Sequence, residues 1–106
     1  MDTFKSIIMK ERGGGKTTDA IKLSSETGYI IVKSTVTGAV EVERLANRLG
    51  IPIPKPISLD RLQEHCVGRK ATYIIDDIVQ CFCHLLGVGY DRIAGATITC
   101  GETYRE

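Results

Sequence analysis

Apolar and polar positions fall into alternating blocks along the chain. Phe4 to Met9 is an apolar run that predicts a first strand. From Lys16 to about Thr27 the apolar positions take helical spacing. Ala20, Leu23 and Thr27 share one face with Ile21 beside them, and Gly28 supplies a C-terminal stop. Tyr29-Ile30-Ile31-Val32 is a continuous apolar run, the pattern of a strand buried on both faces of a parallel sheet. Gly38 to Leu49 carries Val42, Leu45, Ala46 and Leu49 on one stripe, with Glu41, Glu43, Arg44, Asn47 and Arg48 mostly off it, which predicts an amphipathic helix ended by Gly50.

Ile51-Pro52-Ile53-Pro54-Lys55-Pro56 is incompatible with a helix, because alternate prolines hold the backbone extended. It reads as a stiff edge segment or a connector. Ser58 is a suitable N-cap for a short helix with Leu59, Leu62 and Cys66 facing inward, closed by Gly68. Ala71 to Ile75 is another apolar run, and it ends in Asp76-Asp77. Ile78, Phe82, Leu85 and Leu86 then set the stripe of a further helix, stopped by Gly87. A loop over Gly87 to Arg92 precedes a last predicted strand, Ala96 to Cys100.

Strands alternate with helices throughout. The pattern predicts an α/β fold, a three-layer sandwich on a small, mainly parallel sheet of about 4–5 strands with right-handed crossovers. Its 106 residues suit one domain, over 1–100, with a polar tail at 101–106. The formal charge of +1 supplies no global field toward nucleic acid. No apolar stretch reaches the roughly 18 residues of a membrane span, and the N-terminus has no signal-peptide pattern, so a cytoplasmic protein is expected. The four cysteines, Cys66, Cys81, Cys83 and Cys100, read most simply as small buried hydrophobes. His65-Cys66 and Cys83-His84 invite a zinc site. Against it, Cys81-x-Cys83 lacks the gap of common zinc knuckles, and positions i and i+2 of a helix diverge.

The chemistry concentrates where the first predicted strand meets the first helix. Gly13-Gly14-Gly15 followed by Lys16-Thr17 matches the second half of the pattern G-x-x-x-x-G-K-[ST]. Lys10 stands at its first position in place of glycine. Glycines let the backbone approach an anion, inward N–H groups cradle phosphate, and a helix N-terminus adds positive potential. In this reading Arg12, Gly13, Gly14, Gly15, Lys16, Thr17 and Thr18 bind a nucleotide. Lys16 reaches the β- and γ-phosphates, and the Thr17 hydroxyl contacts Mg²⁺. Asp76, at the end of its own strand, is the second metal-side carboxylate. Asp77 stands where an ATPase commonly has a water-orienting Glu, and its side chain is one methylene shorter. The plainer reading makes Asp77 the N-cap of the next helix. In parallel sheets ligands bind at the carboxyl ends of strands, so the two motifs can meet in one site.

These blocks resemble a family. Arg12 to Thr18, Tyr29 to Val32, Pro56 to Asp60 and Tyr73 to Asp77 are similar, in order, to small phage-encoded P-loop proteins and to the first half of a helicase or terminase ATPase core. The arginine before the glycines is similar to that of terminase motors. The resemblance covers nearly the whole chain, although only the two nucleotide motifs are specific. It implies ATP (or another NTP) and Mg²⁺ as ligands, with Lys16 and Asp77 in the catalytic places, Thr17 and Asp76 on the metal, and the bacterial host cytoplasm as the location. It implies binding more firmly than turnover, since no second motor domain is in view to supply an arginine finger, worth roughly 10³–10⁵ in rate where it operates. Arg69, Arg92 or Arg105 could act in trans within an oligomer, and nothing in the sequence singles out one of them.

Two further functions compete. One is a catalytically inactive module of the same fold that regulates a host or phage protein, or sequesters a nucleotide signal. The other is a small-molecule kinase, which needs an acceptor site and an arginine-rich lid. A protein partner or homo-oligomer fits any of these. Strong single-strand binding is disfavoured by the neutral charge and the lack of an aromatic platform.

Overall fold

The computed structural model describes residues 16–89 together with Arg92 and Ala94. The predicted strands Phe4 to Met9 and Ala96 to Cys100, the glycines Gly13 to Gly15 and the tail 101–106 lie outside the described residues. Within them the order is α1 (Lys16–Thr27), β1 (Ile30–Lys33), α2 (Val36–Leu49), β2 (Ile57–Ser58), α3 (Leu59–Cys66), β3 (Tyr73–Ile75) and α4 (Ile78–Leu86).

The three strands form one sheet in the order β2-β1-β3, and both pairings are parallel. Val32 lies opposite Ile57 on one side and Ile75 on the other. The fold is therefore α/β with a parallel sheet, and helical segments connect the strands. Ile31 and Val32 are neighbours in β1 and point to opposite faces, yet both are fully buried. Both faces of the central strand are thus covered, as its unbroken apolar run requires.

The main core lies on the Ile31 face. Ala20 and Ile21 from α1 and Val42 and Ala46 from α2 close over Ile31, with Leu45, Ile51, Ile53 and Ile74 packed around them. Fully burying one such aliphatic side chain contributes about 1.5–3 kcal/mol. This packing fixes where α1 begins relative to the ends of β1 and β3.

Several local expectations shift. Helix α2 begins at Val36 rather than Gly38. Thr35 is extended, at φ −133° and ψ 162°, and its hydroxyl accepts from the Gly38 N–H at 3.0 Å. That cap satisfies a free amide of the first turn and sets the start two residues earlier. The stripe of α1 centres on Ala20, Ile21 and Ser24 rather than reaching Thr27, which is exposed. The Ser24 hydroxyl is buried and donates to the Tyr29 carbonyl, which ties the helix end to the start of β1. The proline segment carries no regular secondary structure, and it leads into the two-residue strand β2.

Two predicted faces do not pack as expected. No residue of α3 is buried; Leu59 and Leu62 are half-buried and Cys66 is exposed. In α4 the stripe Ile78, Phe82, Leu85 and Leu86 is exposed, while Cys81 and Cys83 are the buried positions. The periodicity is present, but the buried positions are the two thiols, of which Cys81 lies beside the sheet end. Cys81 Sγ sits 3.7 Å from the Asp76 carbonyl.

Candidate functional site

The site assembles at the carboxyl ends of β1 and β3. Asp76 follows β3 directly, and its N–H donates to the Val32 carbonyl at 3.0 Å, which extends the sheet ladder by one bond. That bond fixes the Asp76 backbone beside the end of β1. The Asp76 residue is only 4% exposed. A buried carboxylate must be hydrogen-bonded or paired, and this one is both.

Two side chains converge on a single oxygen. Thr17, in the first turn of α1, donates its hydroxyl to Asp76 Oδ2 at 3.0 Å, across 59 residues of sequence. Lys33, the last residue of β1, places Nζ 3.2 Å from the same oxygen. Lys16 points to the neighbouring acid, with Nζ 3.8 Å from Asp77 Oδ2. Thr18 lies one residue further into α1 and is half-buried.

Asp77 has a second task. It is the N-cap of α4, and its Oδ1 accepts from the Gln80 N–H at 3.3 Å. Its backbone is left-handed, at φ 63°, the only such non-glycine among the described residues. Asp tolerates this region better than most residues because its short polar side chain can bond locally. One carboxylate oxygen therefore organises the helix, and the other faces Lys16.

Lys33 is the residue that motif reading missed. Its signal was positional: a lysine ending an apolar parallel strand sits at the ligand end of the sheet. Its stem is held by Gly38. A Cβ on Gly38 would lie 3.2 Å from Lys33 Cε and 3.3 Å from Lys33 Cβ. The absence of that atom lets the lysine lie across the first turn of α2. Thr17 and Lys33 also line a cavity of about 440 Å³ whose far wall is α2, through Val42, Arg44, Leu45 and Arg48.

The thiol of Cys81 is close enough to this charge cluster to feel it. Burial pushes its pKa up, Lys33 pulls it down, and the Asp77 and Asp76 carboxylates add to the rise. The net direction is upward, toward an unreactive protonated thiol.

The donor set here is a hydroxyl and a carboxylate, hard oxygens of the kind Mg²⁺ takes together with waters and phosphate oxygens. Among the described residues no group of three or more His, Cys, Asp and Glu is placed to hold a metal by itself. A Mg²⁺ site of the P-loop kind does not require one, since nucleotide and water supply the other ligands. Arg12 and Gly13 to Gly15, the remaining predicted nucleotide contacts, lie outside the described residues. No helix among the described residues is long and apolar enough to cross a membrane. Comparison with protein-family models, with curated proteins and with solved structures finds no match.

Proposed function

We propose that this chain is an ATP- or other NTP- and Mg²⁺-binding P-loop protein, of the kind phages encode, whose hydrolysis is weak or depends on a partner. The observation that carries the reading is the Thr17 Oγ1 to Asp76 Oδ2 contact of 3.0 Å. A Lys-Thr pair opening a helix and an Asp ending a strand are far apart in sequence, and they meet at the carboxyl end of a parallel sheet. In this reading Thr17 and Asp76 hold Mg²⁺, directly or through water, and Lys16 turns from Asp77 to the β- and γ-phosphates. The glycines before Lys16, outside the described residues, would supply the amide cradle. The strands predicted at Phe4 to Met9 and Ala96 to Cys100 would complete a P-loop-type sheet of about 4–5 strands in three layers.

Such a site would stabilise charge on a transferring phosphoryl group by position and electrostatics, with Thr17 and Asp76 holding a Mg²⁺ that would supply positive charge beside the phosphates. Orienting the attacking water is its weaker element. Asp77 is committed through Oδ1 to the amide of Gln80.

A second reading has an observation of its own. The exposed apolar row on α4 favours a regulatory binding module that uses the same fold to engage a protein. Calorimetric titration with ATP, with and without Mg²⁺, separates the cases. We expect Mg²⁺-dependent binding that Lys16→Ala abolishes while the far-ultraviolet spectrum is kept. Lys16→Ala binding ATP as the wild type does, or a wild type blind to millimolar ATP, would sink the nucleotide reading and leave the protein-binding one.

A further inference from the structure

Lys33 is held more tightly than a solvent-facing lysine. Its ammonium lies 3.2 Å from Asp76 Oδ2, and its stem packs on Gly38, where a Cβ would come within 3.2 Å of Lys33 Cε and of Thr35 Oγ1. It is not sealed in, because it lines the same cavity as Thr17. Its neighbour across the sheet is Ser58, since Lys33 and Ser58 are partners in register and parallel partners share a face. The Ser58 hydroxyl is buried, and among the described residues it has no hydrogen-bond partner. Three adjacent strand ends therefore present Ser58, Lys33 and Asp76 in a row, with Thr17 facing the last of them.

We propose that Lys33 is a second phosphate-contacting cation of this site, the group that distinguishes a nucleoside triphosphate from a diphosphate. The proposal rests on the nucleotide reading. A metal ion taken up between Thr17 and Asp76 competes with the Lys33 ammonium for Asp76 Oδ2. The freed ammonium then has the phosphate on that metal as a new anion to pair with. Lys33 sits on the strand beside Asp76, and a diphosphate has one phosphate fewer to offer its ammonium. Charge balance favours this exchange, since Asp76 trades a monovalent partner for a divalent one. Lys33 is also tethered too near to leave for bulk water without losing its packing on Gly38. Arg44 and Arg48, farther along the cavity wall, make the space attractive to anions, with Glu41 the opposing charge there.

The test compares the Kd values of Mg·ATP and Mg·ADP for wild type, Lys33→Met, Lys33→Arg and Gly38→Ala. Lys33→Met keeps the packed stem and removes the charge. We expect it to weaken ATP binding roughly ten- to a hundredfold, the range for a hydrogen bond to a charged group, and to leave ADP within about threefold. Lys33→Arg should restore part of the preference for ATP. Gly38→Ala should lower that preference too, by displacing the stem, and it keeps the question open to measurement if Lys33→Met does not fold. Equal losses for ATP and ADP would overturn the proposal and make Lys33 only a counter-ion that positions Asp76. No change for either nucleotide overturns it as well. A wild type that binds neither nucleotide refutes the nucleotide reading itself, and the role of Lys33 with it.

Discussion

Asp76 and Asp77 run directly into Ile78, so the polar site and helix α4 are neighbours in sequence, yet they dispose of their side chains in opposite ways. At the strand ends a carboxylate is buried and given two partners, Thr17 and Lys33. On α4 four large apolar side chains, Ile78, Phe82, Leu85 and Leu86, are each more than half exposed. The usual sorting places charges outside and apolar groups inside. That sorting is inverted on both sides of one helix N-terminus. Burying Asp76 costs desolvation that the fold bears in order to hold a charge in one place. Exposing the α4 row leaves apolar surface in water that a purely structural helix would cover.

The largest effect separates core from exposed face. Ile31→Ala removes the centre of the main cluster and should cost about 2–5 kcal/mol in urea unfolding. Phe82→Ala should cost under about 1 kcal/mol, since its ring already lies half in solvent. A loss at Phe82 as large as at Ile31 would mean that the α4 face is covered in solution, and the contrast drawn here would fail.

A smaller effect separates two acidic partnerships. Asp76→Ala strips both Thr17 and Lys33 of their acceptor and should destabilise by about 1–3 kcal/mol in the same assay. Asp60, mostly exposed, pairs with His84 of α4 at 3.2 Å. Asp60→Ala should change stability by less than about 0.5 kcal/mol, as surface pairs do. Equal costs would show that the buried pair is no more organised than the surface one.

The finest distinction is chemical. Cys66 is exposed, and Cys81 and Cys83 are buried. Site-resolved alkylation of the native protein should label Cys66 before Cys81, and Cys81 slowly even in mild alkali, because burial raises the Cys81 pKa. The linkage has a definite sign. A thiol whose pKa is raised by folding contributes stability that is full below its unfolded value and is lost as pH rises through the folded one. Stability should therefore fall on the alkaline side when Cys81 is present, and less so in Cys81→Ala. Rapid labelling of Cys81 would show that the α4 N-terminus opens readily.

Much of the frame was legible in the residues. Helix α1 from Lys16 to Thr27 follows from apolar spacing and a glycine stop, and Gly28 takes φ +80° to end it. The central strand is readable because a run such as Ile30-Ile31-Val32 has few alternatives to burial on both faces. Asp77 as the cap of α4 was also readable, since Asp before an apolar helical pattern satisfies free amides. Strand β2 was not legible. Two residues after a proline run carry no periodicity, and they become a strand only because β1 offers them a free edge.

Which face a helix buries was only partly legible. In α4 hydrophobicity marks Ile78, Phe82, Leu85 and Leu86, yet Cys81 and Cys83 are the buried positions. Sequence alone therefore determined the four helices, the glycine stops of α1, α2 and α4, and the two motifs at Lys16-Thr17 and Asp76-Asp77, because these depend on local backbone preference and short spacing. Tertiary structure decided that Thr17 and Lys33 share one oxygen of Asp76, and that Gly38 makes room for the lysine. Those contacts join residues that are remote along the chain, and they exist only once parallel strand pairing has set the three strand ends side by side.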